Sequence, residues 1–267
     1  MSLIVSDTGL AFGSGLQSQT GVGGAGLGVS AGGITVDLWQ NFAFATLTVP
    51  NLAANDHATG GTWTIVDDDA QLSVDVGADK VSTGLINGEA DASGRGFRYN
   101  QTLGVVGTPA TIRYELPTPD ATISFGFWFR FGPSFVGGFE GGNPDIIHLE
   151  PNVGDGTGYY VKLTDNNQAR FQLFTPASGF SSNINAAPDT WYWLTGLFGT
   201  THRLSVYSEA GALLGEVTRP GTADAVEEVR WGSLVGQERD TNEDPFEWDD
   251  LVLDWTNAVY PLGPPQG

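Results

Sequence analysis

Aromatic and polar side chains alternate along residues 121–131, and one face of this stretch has the composition of a sugar-binding surface. Five apolar side chains share the other face of the predicted strand: Ile123, Phe125, Phe127, Phe129 and Phe131. Sugar recognition needs exposed aromatic rings beside polar donors, and Gly126 leaves room next to Trp128 and Arg130. We therefore predict a carbohydrate-binding site made of four side chains: Trp128, Arg130, Tyr160 and Trp193.

The same aromatic side chains have a structural alternative. A loop such as residues 132–143, or a partner subunit, would cover them and turn the surface into a second core. The length and one-sided aromatic density of residues 121–131 predict the central strand of a sheet, packed on a core below. Both interpretations require this strand to lie in the middle of the fold.

An acidic loop, residues 238–244, carries alternating oxygen ligands for calcium. Pro245 stands where a helix–loop–helix site needs glycine, and the twelfth position of the loop lacks glutamate, which excludes that type of site. We predict a looser structural calcium site, with a solvated acidic turn as the alternative, and no other cofactor. Its ligands would be Asp240, Asn242, Asp244 and Asp250, with Asp249 as an alternative to the last.

The elements that position these residues end in a closing strand, residues 246–255. Phe246 and Trp248 have the opposite parity to Leu251 and Leu253, so the apolar phase changes at Asp249-Asp250. A strand with a buried face cannot change phase without an extra residue or a corner. We predict a bulge or corner at the two aspartates and a closing strand that lies beside residues 34–39.

The bulk composition limits the classes of partner. The net charge of −20 argues against a nucleic-acid backbone and disfavours anionic membranes. There is no cysteine, so disulfides and thiolate chemistry are excluded. The first residues lack the pattern of a signal peptide, and no apolar run reaches the length of a membrane span, so we expect synthesis in a cytoplasm and no membrane insertion.

The fold class follows from short alternating runs separated by turns. About a dozen such runs, with 38 Gly and 14 Pro and no helical periodicity, predict an all-β, two-sheet antiparallel jelly-roll sandwich. Residues 1–33 are rich in Gly, Ser and Ala and almost uncharged, and form either a flexible linker or an extended arm that orders on a neighbouring subunit. The predicted division is an arm (1–33), a jelly-roll domain (34–262) and a tail (263–267).

Six segments, in this order, resemble the concanavalin A-like lectin/glucanase superfamily, especially its laminin G-like modules. They cover roughly residues 120–260: Ile123 to Arg130, Ile146 to Leu149, Tyr159 to Leu163, Asp189 to Leu194, Leu204 to Tyr207 with Gly211 in the turn, and Trp248 to Leu253. The resemblance implies a jelly roll. The superfamily includes carbohydrate-binding and adhesion modules, glycosidases, polysaccharide lyases and virion proteins of bacterial viruses.

The enzymes of that superfamily set specific requirements for catalytic residues. A glucanase would carry an E-x-D-x-x-E strand, which is absent here, and retaining hydrolysis is therefore not expected. A polysaccharide lyase would use Tyr or His as base and a polar side chain to neutralise the uronate. Arg130, His148, Tyr160 and Lys162 would have to meet on one sheet face for that chemistry. No G-x-S-x-G elbow and no metal-ligand spacing of histidines is present.

These observations together predict a non-catalytic virion structural protein of a bacteriophage, either a head decoration, a fibre or a tail component. Its arm would bind other virion proteins during assembly in the host cytoplasm, and its lectin-like body would face outward towards surface glycans. We expect a homo-oligomer. The alternatives are a free carbohydrate-binding lectin module and, second, a polysaccharide lyase or hydrolase.

Overall fold

The computed structural model of the chain describes thirteen ranges of residues, and the structural statements below concern these. They are 35–58, 60–67, 71–80, 85–86, 89–90, 94–100, 110–133, 145–151, 158–164, 169–176, 178–221, 224–233 and 245–264. The predicted arm (1–33) and the whole acidic loop 238–244 lie outside them, and the division into arm, domain and tail stays a prediction.

Nearly all regular structure in the described part is β-strand. The strands, in chain order, are β1 (Leu38–Gln40), β2 (Thr62–Asp67), β3 (Leu72–Asp75), β4 (Leu85–Ile86), β5 (Glu89–Ala90), β6 (Gly96–Tyr99), β7 (Ala110–Asp120), β8 (Ile123–Phe131), β9 (Asp145–Glu150), β10 (Tyr159–Thr164), β11 (Arg170–Thr175), β12 (Gly179–Phe180), β13 (Ile184–Asn185), β14 (Tyr192–Phe198), β15 (Thr201–Ser208), β16 (Leu213–Pro220), β17 (Val226–Ser233) and β18 (Phe246–Asp254). One α-helix, α1 (Val49–Asn55), and one 3-10 turn, Val76–Ala78, complete the set.

The strands form two large antiparallel sheets. The first sheet has the order β16-β15-β14-β8-β18-β6-β3, with β1 also paired to β18. The second has the order β12-β11-β10-β9-β17-β7-β2, with β13 also paired to β11. The neighbours β10–β11 and β15–β16 are hairpins. The sequence predicts both, because the connecting residues, Asp165-Asn166-Asn167 and Glu209-Ala210-Gly211, are typical of turns. The predicted two-sheet jelly-roll sandwich is confirmed.

The main core lies between the two sheets because alternate side chains of each strand point inward. Phe127 and Phe129 of β8 are fully buried, and Phe129 packs edge-on against Phe171 of the second sheet with ring centroids 6.0 Å apart. Trp248 crosses the sandwich, since its indole N–H donates to the carbonyl of Ile146 at 3.1 Å. These aromatic contacts fix how the sheets stack.

The closing strand β18 contains the predicted change of phase. Its pairing with β8 shifts register between Asp249 and Val252, and Asp250 has a φ of 48°. The shift lets Trp248 and Leu251 both face the main core, whereas Val252 faces the other side of the sheet. The bulge is confirmed, and so is the pairing of this strand with the start of the domain, because Leu38 lies opposite Leu253.

The structure corrects one expectation about local structure. The sequence predicts an extended stretch from Phe42 to Val49 that Pro50 ends, and a domain without helices. Instead, α1 begins at Val49 and residues 41–48 form no strand. The Thr48 hydroxyl accepts from the amide of Asn51 at 3.3 Å, and Pro50 occupies the first turn, where its missing N–H costs nothing. In the described part of the chain no helix has the length and apolarity that a membrane crossing requires.

His202, the second residue of β15, is a buried histidine. Its ring contacts Tyr159 at 4.3 Å and Phe198 at 4.6 Å between centroids, and its Nδ1 accepts from the Gly199 amide at 3.3 Å. Burial lowers the pKa of His202 from 6.5 to about 4. The folded protein therefore keeps this imidazole neutral where an unfolded chain would protonate it.

We expect this histidine to weaken the fold in mild acid. The pKa is lower in the folded state, so its contribution is complete above about pH 6.5 and is lost as the pH falls towards 4. Between pH 7 and pH 5 the loss should be about 2 kcal/mol of unfolding free energy. Denaturant titrations at pH 7 and pH 5 measure this loss of unfolding free energy.

His202→Gln should remove most of the difference between the two pH values, whereas His57→Gln, at an exposed position, should leave the difference unchanged. Equal pH dependence in the unmodified protein and both variants would contradict the assignment to His202.

Candidate functional site

Two of the predicted sugar-binding side chains, Trp128 and Trp193, are buried in a second apolar cluster on the outer face of the first sheet. They are 1% and 0% exposed and meet edge to face with centroids 5.4 Å apart. The Lys80 ammonium lies 5.0 Å above the Trp128 ring, and the Trp193 indole donates to the Leu262 carbonyl at 2.7 Å. Neither ring is accessible to a sugar. Trp128 and Trp193 are instead covered and form part of a second core, as in the structural alternative given for the sequence.

The residues that cover Trp128 and Trp193 come from both ends of the domain. Three of them pack into the same cluster: Val36, which precedes β1, Trp39, which lies within β1, and Leu262, which follows β18. The Asp37 carboxylate accepts from the amides of Trp255 and Thr256 at 2.8 and 2.6 Å, which ties the two ends together. The periodicity of residues 121–131 could not reveal a cover supplied by residues more than eighty positions away.

Arg130 lies on the same outer face but belongs to an ion cluster. Its guanidinium donates to Glu247 Oε2 at 2.5 Å and to the Gly77 carbonyl at 2.6 Å, and stacks 4.7 Å from the centroid of Trp191. Arg98 binds the other oxygen of Glu247 at 2.6 Å. The residue that was predicted as a sugar donor is therefore held by several protein groups.

Tyr160 lies on the opposite side of the molecule, on the outer face of the second sheet. Its neighbours Tyr159 and Val161 point into the main core, so the alternation of β10 directs Tyr160 outward. The four predicted residues thus do not form one site: Trp128, Arg130 and Trp193 belong to the first sheet and Tyr160 to the second. Arg130 and Tyr160 keep their predicted outward direction.

Three aromatic rings, Tyr160, Phe174 and Phe180, form what we call the aromatic platform. Tyr160 and Phe174 stack with centroids 4.5 Å apart, and Phe174 and Phe180 follow at 4.9 Å. Phe180 is 41% exposed, and the other two rings are half-buried. Lys162 reaches to 5.2 Å from the Phe180 ring centroid, and Arg219 donates to the Phe180 carbonyl. Such a combination of accessible rings and polar donors was predicted from the sequence, but for the outer face of the first sheet around Trp128.

The platform is one end of a row of side chains in register across the whole second sheet, which we call the cross-strand row. One residue from each of seven strands contributes: Phe180, Phe174, Tyr160, His148, Arg230, Arg113 and Thr64. Adjacent strands lie about 4.8 Å apart, so six steps span about 29 Å. The row is aromatic at one end, basic in the middle and polar at the other end.

The middle of the row is a buried ionic network. The Arg230 guanidinium donates to both Glu150 and Glu228, which lie side by side on neighbouring strands. His148 Nδ1 lies 3.3 Å from Glu150 Oε1, and the His148 ring meets Tyr160 edge to face at 5.6 Å. Burial, and next the charge of Arg230, lower the pKa of Arg113 from its ordinary value. The network connects the platform to the basic middle of the row.

The residues considered for a lyase come together only in part. His148, Tyr160 and Lys162 share the outer face of the second sheet, whereas Arg130 lies on the first sheet. Arg230, which sequence reasoning missed, occupies the place beside His148. Its pairing depends on the register between β9 and β17, and no local sequence signal encodes that register.

The calcium hypothesis falls mainly on residues outside the described ranges, namely Asp240, Asn242 and Asp244. Asp250 is buried and accepts from the Trp39 indole at 2.8 Å, and Asp249 accepts from the Lys80 amide at 2.7 Å. Within the described ranges, no group of three His, Asp or Glu side chains is arranged to hold a metal ion. The calcium site therefore stays a prediction. In the described structure the carboxylate of Asp250 binds the indole of Trp39.

Comparison with known proteins supports the fold. No protein-family model matches the sequence, and no curated protein does. A marine PL-14 alginate lyase from Aplysia kurodai has a similar structure, with a TM-score of 0.51 and 9% identity over 82% of this chain and 98% of the lyase. This likeness supports the predicted jelly-roll fold, and at this identity it shows the fold alone.

Two botulinum neurotoxin binding domains are also similar in structure. That of serotype G has a TM-score of 0.49 and 13% identity, covering 84% of this chain and 49% of the toxin domain. That of serotype D has a TM-score of 0.45 and 10% identity, covering 75% and 45%. The chain thus spans about half the length of these binding domains.

The second apolar cluster leads to a stability prediction at Gly126. A methyl group there would lie 2.5 Å from Cζ2 of Trp193 and 3.1 Å from Cγ2 of Val252, so these two side chains would have to move. Gly126→Ala should lower the unfolding free energy by about 1–3 kcal/mol in denaturant titration. Gly199→Ala, where the methyl group would lie 3.6 Å from Thr122, serves as control and should be nearly neutral. Equal stability of the two variants would show that the cluster is loosely packed.

Proposed function

We propose that this protein is a non-catalytic carbohydrate-binding module whose site is the aromatic platform on the second sheet. The observation that carries the proposal is the partly exposed set of three rings, with Phe180 41% exposed, beside the ammonium of Lys162. Aromatic faces bury the apolar side of a sugar ring, and neighbouring donors bind its hydroxyl groups. The jelly-roll fold is compatible with such a role and does not by itself establish it.

The composition of the surroundings supports a sugar over an apolar ligand. Gln172 lies directly opposite Lys162, and Ser178 lies at the turn before Phe180. Hydroxyl, amide and ammonium groups thus border the rings on two sides.

Two features favour binding without catalysis. His148 is only 4% exposed, and Arg230 is 6% exposed and bound to two glutamates, so neither is free to meet a substrate at the surface. A lyase needs a base that reaches the sugar and a cation that neutralises its carboxylate. Formation of unsaturated sugar ends from any polysaccharide would contradict the non-catalytic assignment, and Tyr160→Phe would then identify the base.

The platform is tested by binding to a glycan array, followed by titration of the glycans that bind. Tyr160→Ala and Phe180→Ala should each weaken binding by about tenfold, because a lost ring contact of about 1.4 kcal/mol corresponds to that factor. The control is Leu213→Ala, which removes a side chain 55% exposed on the first sheet and should leave binding unchanged.

Two results would contradict the platform as the binding site. One is binding that survives both aromatic substitutions at full strength. The other is the absence of binding to any glycan by a protein whose thermal unfolding shows that it is folded.

The setting in a virion, as a head decoration, fibre or tail component, is a further proposal, supported by the almost uncharged stretch at residues 13–33 beside a strongly acidic body. The partners would be other virion proteins, and the oligomer a homo-oligomer.

A protein that lacks residues 1–33 should remain folded and bind glycans as before, yet fail to join its assembly in a reconstitution experiment. Normal incorporation of the truncated protein would refute the role of the arm.

A further inference from the structure

Arg219 connects the edge of the first sheet to the aromatic platform on the second. It is the last residue but one of β16, and alternation places it on the same face as Val217, whose side chain is buried in the main core. A cation at an inward-facing position near the rim of the sandwich needs an acceptor, and the Arg219 guanidinium donates to the carbonyl of Phe180. This contact therefore crosses from one sheet to the other.

The edges of the two sheets meet where Arg219 makes this contact. In the described part of the chain, β16 stands at one end of the strand order of the first sheet, and β12 stands at one end of that of the second. Ile184 of β13 lies so close to Gly215 of β16 that a methyl group on the glycine would come within 3.1 Å of two Ile184 carbon atoms. Arg219 thus belongs to a packed contact between the two sheet edges.

The backbone around Phe180 is short of regular structure. β12 contains two residues, and Gly179 has a φ of 68°, so the chain turns just before the ring. Ser181 holds the segment on β11, because its amide donates to the Leu173 carbonyl at 2.8 Å and its hydroxyl accepts from the Leu173 amide at 2.9 Å. Successive residues of a strand direct their backbone groups to opposite sides, so the Phe180 carbonyl points away from β11 and towards Arg219.

Ser181 and Arg219 therefore hold opposite sides of the same short segment. Ser181 binds it to its own sheet, and Arg219 binds it to the other sheet. The Phe180 ring is 41% exposed, so burial contributes less to its position than it does for a core ring. Short exposed segments open at low cost, and a ligand that binds to one must first order it. A contact that fixes the Phe180 carbonyl beforehand favours binding.

We propose that Arg219 is the positioning residue of the aromatic platform. From the first sheet it holds the Phe180 backbone, and with it the ring, in the place where a sugar stacks. It acts through Phe180 and not on the sugar. This inference rests on the proposed carbohydrate-binding function and deepens it, because it adds a residue of the opposite sheet that sets the affinity of the site.

The first measurement reports the position of the Phe180 ring without any ligand. The chain has two lysines: the Lys162 ammonium lies 5.2 Å from the centroid of the Phe180 ring, and the Lys80 ammonium lies 5.0 Å from that of Trp128. The ring current of an aromatic side chain shifts the NMR signals of protons above it. The full-length protein with isotopically labelled lysine therefore gives two ε-methylene signals, one for each ring, and the Lys80 signal is the internal control for the first sheet.

Arg219→Gln should move the Lys162 signal towards its position in Phe180→Ala, where the ring is missing, and should leave the Lys80 signal in place. The matched control is Arg203→Gln, which makes the same change in net charge, from −20 to −21, at an exposed position of β15 on the same sheet. It should leave both signals unchanged. An unchanged Lys162 signal in Arg219→Gln, or an equal shift in Arg203→Gln, would overturn the proposal.

The second measurement is a double-mutant cycle of binding, with the oligosaccharides that the unmodified protein retains on the glycan array. Arg219→Gln should weaken binding by about threefold to tenfold, because the segment must then be ordered on binding. In the Phe180→Ala background the same substitution should have no further effect, since its action passes through that ring. An equal loss in both backgrounds would show that Arg219 does not act through Phe180 and would overturn the positioning role.

The outcomes separate this inference from the proposed function. Binding that Arg219→Gln leaves at full strength would overturn the role of Arg219 and leave the platform intact. Absence of binding to any glycan by the folded protein would instead overturn the proposed function, and the role of Arg219 in sugar binding with it.

Discussion

The burial of β18 on both faces is the constraint on which the rest of the structure depends. All nine of its residues are buried, and the register shift at Asp249 lets the strand serve two apolar clusters. Phe246 and Leu253 contribute to the main core, and Val252 contributes to the cluster around Trp193. A strand that is apolar towards both sides needs a cover on both sides, and the second sheet supplies only one of them.

The second cover comes from the ends of the domain, and it bears on where we propose that a ligand binds. Val36 and Leu262 close the outer face of the first sheet, and Arg130 joins an ion cluster there. On the outer face of the second sheet the described residues leave Phe180 41% exposed. The recognition surface that we propose therefore lies on the sheet opposite the most aromatic strand of the sequence.

Local patterns sufficed for the sandwich, the two hairpins and the bulge, because each depends on the alternation of neighbouring residues. The cover over Trp128 and the pairing of His148 with Arg230 were beyond the sequence, since both join segments far apart in the chain. Helix α1 was missed for a different reason. At seven residues it is too short to show a period, and Pro50 indicates a stop as readily as a first turn.

A crystal structure of the protein with a bound oligosaccharide tests the central claim most directly, because it locates the ligand without reference to any variant. The account predicts a sugar ring stacked on Phe180 and Tyr160. An oligosaccharide bound instead on the outer face of the first sheet, with the cover displaced from Trp128, would contradict it.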